Sequence, residues 1–241
     1  MRDSASKSIG LLLFPALTQL DLTAPYEVFV RAPNTKVHLI WKNLDLVVSD
    51  RGMAIQPTTT FNTCPQLDVI CIPGGPGQIN LMDDEDVLSF IRFQSEEAKL
   101  VTSVCTGSLI LGAAGLLDGY KATTHWLSLN LLKLFNVDVV EERVVIDRNR
   151  ITGGGVTAGI DFGLYVVANL FNEDVAKEVQ LMIEYNPAPP FNAGSPKTAD
   201  EKIVDRVVSS RKEIQQQRVY LIKKILNSQI QKLNEEENRN A

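Results

Sequence analysis

The residue best placed for nucleophilic chemistry is Cys105, at the point where the apolar run Lys99-Leu100-Val101 gives way to the small-residue helix pattern Leu109-Ile110-Leu111-Gly112-Ala113-Ala114. A buried strand followed at once by a helix puts the thiol on a sharp corner, the geometry of a nucleophile elbow. Gly107 relieves the crowding there. A thiol facing a helix N-terminus is expected to have its pKa lowered from about 8.5 to between about 3.5 and 7.5. The competing reading is a buried structural cysteine, since free cysteine packs as a small hydrophobe.

Three further groups fall where an open α/β sheet places its ligands, at the carboxyl ends of strands. Asp21 follows the run Ile9-Gly10-Leu11-Leu12-Leu13-Phe14, ahead of a helix for which Thr23 is a candidate N-cap and Pro25 lies near the first turn. An aspartate there is either a functional acid or an ordinary cap. Gly74 and Gly75 follow Asp68-Val69-Ile70-Cys71-Ile72, and adjacent glycines can aim backbone N–H groups at a developing negative charge or simply make a turn. His125 ends the short strand expected at Lys121–Trp126, as a proton donor, a pocket wall or a capping residue.

The elements that must position these groups alternate strand and helix. Strands are expected at Lys36–Trp41, Leu44–Val48, Ala54–Ile55, Val137–Glu141, Arg143–Asp147 and Arg150–Thr152, with His38 on a strand surface and a loop beginning at Thr58. An acid-rich helix start at Asp83–Asp86 makes a crossover to the Cys105 strand, so the right-handed crossover rule brings Gly75 and Cys105 to neighbouring strand ends. Helices are expected from Val156 through Leu170 and from Glu173 to Tyr185, both packed on the sheet. The Pro- and Gly-rich stretch Asn186–Pro196 is a boundary between an α/β domain, 1–195, and a helical extension, 196–241. In that extension Ile203, Val207, Ile214, Leu221 and Ile225 line one face of a long amphipathic helix, interrupted by polar Gln215–Arg218 and fraying near Asn234–Asn238.

Composition narrows the function classes. The 241 residues are 44% hydrophobic, enough for a substantial core, and the net charge of −5 argues against a nucleic-acid surface. Cys64, Cys71 and Cys105 form no CxxC pair and read as reduced cytoplasmic thiols. Only two histidines occur, with no HExxH, so no metal site is expected; neither GxGxxG nor GxxxxGK[ST] occurs to suggest a dinucleotide or ATP. The apolar Ile9–Leu17 stretch is short and contains Pro15, which makes it a first strand rather than a signal peptide or membrane span.

Several segments in order, Phe14-Pro15, Asp21-Leu22-Thr23, Pro25–Phe29, Pro73-Gly74-Gly75, Val104-Cys105-Thr106-Gly107, Ala122–Trp126 and Gly154–Asp161, resemble the ThiJ/PfpI superfamily over roughly residues 8 to 195. Within it, Asp21 with Thr106 resembles the branch that hydrates isonitriles, as does Tyr185–Pro196. The resemblance implies a class I glutamine amidotransferase-like, flavodoxin-like fold: a three-layer α/β sandwich around a mostly parallel sheet, commonly homodimeric, without a cofactor. It also implies that Cys105 is the nucleophile, Asp21 the nearby acid and Thr106 a positioning residue. The expected reaction adds water to a small-molecule isonitrile through a cysteine thioimidate, with the Gly75 and Thr106 amides stabilising charge. Many members of the superfamily carry glutamate in place of Asp21, and its protease and chaperone members carry histidine in place of Thr106. The regulator relatives append two helix-turn-helix units, whereas about one helix is expected after Pro196. Other readings are a redox-sensing or chaperone-like protein and a cysteine-dependent glyoxalase or hydrolase.

Overall fold

Runs such as Val69–Ile72 and Leu100–Val104 have no solvent-facing alternation and need burial on both faces, which a central parallel strand supplies. A computed structural model shows how they obtain it. It describes residues 6–240, with the side chains of 229 and 232–240 outside that description. The strands run β1 (Lys7–Leu12), β2 (Thr35–Trp41), β3 (Val47–Val48), β4 (Ala54–Ile55), β5 (Thr59–Thr60), β6 (Val69–Ile72), β7 (Leu100–Val104), β8 (Lys121–Ala122), β9 (Asp138–Val139), β10 (Val144–Asp147) and β11 (Arg150–Gly153). The helices are α1 (Gln19–Phe29), α2 (Gln78–Leu81), α3 (Glu85–Glu97), α4 (Gly107–Ala113), α5 (Leu129–Leu132), α6 (Ala158–Leu170), α7 (Glu173–Met182), α8 (Glu201–Ser210) and α9 (Lys212–Asn240).

Seven strands form the main sheet in the order β10-β11-β7-β6-β1-β2-β5, all parallel neighbours except the β10–β11 hairpin. Helices α1 and α6 cover one face and α3 and α4 the other, giving the expected three-layer sandwich. Phe29 of α1 meets Phe162 of α6 edge to face, and both are fully buried. No helix among the described residues is long and apolar enough to cross a membrane.

Several local expectations change. Helix α1 begins at Gln19, with Thr18 at its N-cap position; Thr23 lies inside the helix and donates its hydroxyl to Gln19 Oε1. Thr18 N–H is held by Gly74 O, so the start of α1 is set by a contact distant in sequence. Thr59–Thr60 forms an edge strand rather than a loop, and His38 is buried with its Nδ1 3.2 Å from Thr59 Oγ1. Strand β8 stops before His125, which caps a turn of 3-10 helix at Trp126–Ser128. Helix α7 packs on α6 instead of on the sheet. The extension is two helices, broken at Arg211, and α9 stays helical to Asn240, past the expected fraying. Residues 1–5, part of the segment read as carrying no leader, lie outside the described residues.

The corner after β7 is as sharp as expected, and it is strained. Cys105 adopts φ +55°, a left-handed conformation that costs an L-residue with a Cβ about 1–2 kcal/mol. Its N–H donates to Gly153 O and Gly154 O, and its carbonyl accepts from Thr124 Oγ1 (2.9 Å) and Ser108 Oγ (3.2 Å). A Cβ on Gly107 would lie 2.0 Å from Ile72 O, so only glycine lets α4 start this close to the end of β6. Relieving this strain, Cys105→Gly is expected to be more stable than Cys105→Ala by about 1 kcal/mol, read from urea unfolding midpoints. Equal stability of the two variants would show that the corner is relaxed.

Candidate active site

The carboxyl ends of β1, β6, β7 and β11 lie side by side, and each hands the chain to a turn that reaches the same place. From the turn after β1 comes Asp21, in the first turn of α1 and 0% exposed. Its Oδ2 accepts the Gly74 N–H at 3.1 Å. Its Oδ1 is buried and lacks a well-formed hydrogen bond, while the carboxyl as a whole interacts with the Cys105 thiol. Burial raises its pKa from the ordinary 3.8 to about 7, against the opposing pull of the thiol and the Gly74 amide. The expected acid therefore stands beside the sulfur and holds or releases its proton near neutrality.

Cys105 is 6% exposed, and here one expectation is reversed. Burial first, and the Asp21 charge second, push the thiol up rather than down. The amides of Val156 and Thr106 favour the thiolate, but α4 has only seven residues, and its terminal dipole does not offset the loss of water around sulfur. At rest the proton belongs to sulfur, and Asp21 is the neighbour able to take it.

Gly74 and Gly75 play a different part from the one expected. The Gly74 amide is engaged by Asp21, and the Gly75 amide donates to Thr106 Oγ1 at 3.1 Å, so neither is free for a reacting centre. A Cβ on Gly74 would lie 2.6 Å from Thr106 N and 2.8 Å from Asp21 Oδ2. Gly75 has φ +134°. The pair are glycines so that the acid and Thr106 can close on the turn. The amides facing sulfur are those of Thr106 and Val156.

His125 lines the cavity but is not a cationic proton donor. Burial, with Arg218 and Arg211 next, pushes its pKa down to about 4. Its Nδ1 accepts the Leu127 N–H at 3.3 Å, so the neutral ring carries its hydrogen on Nε2. Among the described residues, no group of three His, Cys, Asp or Glu side chains could hold a metal.

Cys105, Thr106, Gly75, His125 and Val156 line an open cavity of about 130 Å³, bordered on another side by Arg211 and by Gln215 and Arg218 of α9. A larger cavity of about 390 Å³ shares His125 and Val156 but does not reach Cys105, and Asp21 lines neither cavity. Val156 and Arg218 are the site residues that sequence reasoning missed. Arg218 had a signal: it falls on the 214, 218, 221, 225 stripe, a cation among apolar residues at helical spacing.

Comparison with known proteins places this geometry in a family. Residues 7–169 match the DJ-1/PfpI family. The chain is 56% identical over 197 residues to an isonitrile hydratase of Pseudomonas putida, covering 82% of this chain and 86% of that one. It superposes on a THiJ/PfpI family protein from Pseudomonas syringae with a TM-score of 0.88 at 46% identity, covering 90% and 91% of the two chains. Drosophila melanogaster DJ-1beta shares the fold at a TM-score of 0.70 and 24% identity, covering 76% of this chain and all of that one. The chain belongs to the DJ-1/PfpI family.

Proposed function

We propose that this protein is a cofactor-independent hydro-lyase that adds water to an isonitrile, giving an N-substituted formamide, with Cys105 as nucleophile, Asp21 as acid and base, and Thr106 as a positioning residue. The observation that carries the reading is the buried Asp21–Cys105 pair: one proton shared between a carboxyl of pKa about 7 and a thiol that binds it more tightly. The 56% identity to an isonitrile hydratase supports the substrate class.

The chemistry follows from moving that one proton. Asp21 takes it from sulfur as the isonitrile enters, and the thiolate attacks the terminal carbon while Asp21 returns the proton to that carbon. The product is a thioimidate, Cys105–S–CH=N–R, with Asp21 left as carboxylate. Asp21 then removes a proton from water as the oxygen adds to carbon, and passes it to nitrogen. Collapse breaks the C–S bond, the hydroxyl proton goes back to Asp21, and the formamide leaves with the pair restored to its starting charge. The Val156 and Thr106 amides hold the sulfur while it is negative. Thr106 Oγ1, by accepting from Gly75, keeps the turn closed on the reacting atoms.

We also propose that residues 1–195 are the α/β unit and 196–241 a helical extension that completes the site, that the protein is a cytoplasmic homodimer, and that its partner is a small molecule. A redox sensor requires an accessible, low-pKa thiolate, which this buried thiol does not provide.

Purified protein incubated with a simple isonitrile should release the N-formamide, and Cys105→Ala should abolish release; undiminished product from the variant would rule out the covalent route. Faster turnover of methylglyoxal than of the isonitrile would favour the glyoxalase reading. The pH profile has a fixed sign. Below about pH 7 both members of the pair are protonated and Asp21 cannot take the thiol proton, so kcat/KM should fall as pH drops through about 7; a flat profile between pH 5 and 9 would exclude the relay.

Stability has the opposite dependence. The folded-state pKa of Asp21 lies above the unfolded one, so its contribution is full below about pH 4 and lost as pH rises through about 7. Asp21→Asn should therefore be inactive yet more stable than the parent at pH 8, by on the order of 2–4 kcal/mol, with the gap shrinking toward pH 4 in thermal melts.

A further inference from the structure

Arg218 is a buried cation without a counter-ion among the described residues. It is 6% exposed, on the α9 face that roofs the Cys105 cavity. Its Nε donates to the neutral amide oxygen Gln78 Oε1 at 2.7 Å, and among the described residues it forms no ion pair. Burying a guanidinium this deeply beside a neutral amide alone is costly, and such groups are ordinarily paired. The group that would act on Arg218 as an anion is the Cys105 sulfur, and at rest it keeps its proton and supplies no charge. Arg211 borders the same cavity and repels Arg218, while His125 is held neutral.

The acids lie elsewhere in the pocket. Asp50 borders it, accepts from Thr18 Oγ1 at 3.4 Å, and acts on Asp21 rather than on Arg218. The cavity wall therefore carries the Cys105 thiol and the Asp50 carboxyl together with two guanidiniums, and Cys105 is near enough to Arg218 to act on its charge.

We propose that the Arg218 end seats an anionic group on the substrate, making the preferred substrate class small isonitriles that carry a carboxylate. The isonitrile carbon meets Cys105 and the carboxylate meets the guanidinium, a planar donor suited to bidentate recognition. The volume of about 130 Å³ restricts the chain between the two groups to a few atoms. Arg218 is thus a specificity-determining residue. This assignment rests on the isonitrile reading only for the reacting end; the anion seat is a separate physical claim.

Two experiments separate the claims. In the first, Cys105 is alkylated with iodoacetate or with iodoacetamide and the rates are followed by mass spectrometry. The native protein should favour iodoacetate by about tenfold; Arg218→Gln should lose that preference and Arg218→Lys keep most of it. In the second, kcat/KM is measured for isocyanoacetate and for its methyl ester. The acid should be preferred about tenfold through a lower KM, and the acid-to-ester ratio should fall about tenfold in Arg218→Gln.

Preference for iodoacetate without hydration of either isonitrile would uphold the anion seat and remove the isonitrile reading. Equal or reversed alkylation preference in the native protein, or an ester hydrated as well as the acid, would overturn the seat. The native ratios alone decide the matter if the glutamine variant does not fold.

Discussion

A carboxyl stripped of water and set against a thiol is stable only if something holds it there, and in this protein the holder is the turn at Gly74. One oxygen of Asp21 accepts the Gly74 amide, Gly74 O accepts from Thr18 at the start of α1, and the next amide, from Gly75, reaches across to Thr106 beside the sulfur. These contacts tie the ends of β1, β6 and β7 together. They leave no room for a Cβ at Gly74, so the acid approaches the elbow because this turn has no side chain. The same closeness removes solvent from Asp21 and sulfur alike, and burial is the largest influence on both.

That environment favours a proton relay over a free thiolate. An exposed low-pKa cysteine would react with any electrophile it met, whereas in the proposed relay this one becomes a nucleophile only when its neighbour takes the proton. The Cys105 corner, pinned by Gly153, Gly154, Thr124 and Ser108, presents the sulfur in one orientation at the cost of a left-handed backbone. Members of a family that share this sheet can differ in chemistry through the few side chains around the sulfur, since a fold supplies the corner and not the reaction.

The C-terminal helix extends the cavity wall. Leu221 and Ile222 pack it onto the α/β unit, and one turn earlier Arg218 reaches Gln78 in α2. The extension is thus a wall of the site as well as an appendage to it. The charge it brings borders the Cys105 cavity and, after burial, lowers the basicity of His125.

Much of this was readable from residue types. The unbroken apolar runs identified the central strands and Cys105 ahead of Gly107 the tight corner, because each is a local pattern with a local cause, whereas Asp21 beyond the first strand read equally as an acid or a cap, and its place beside the sulfur came from the fold. Spacing within the chain could not say which amides remain free, and it misassigned Gly75 because the partner that occupies its N–H is Thr106, thirty-one residues away. It likewise suggested a thiolate, since a helix N-terminus is visible in sequence and desolvation is not. The strand order, the α1 start at Thr18 and the arrival of Arg218 over Cys105 were decided by tertiary packing. Burial and charge proximity depend on which distant segments meet, and that information exists only once the chain has folded.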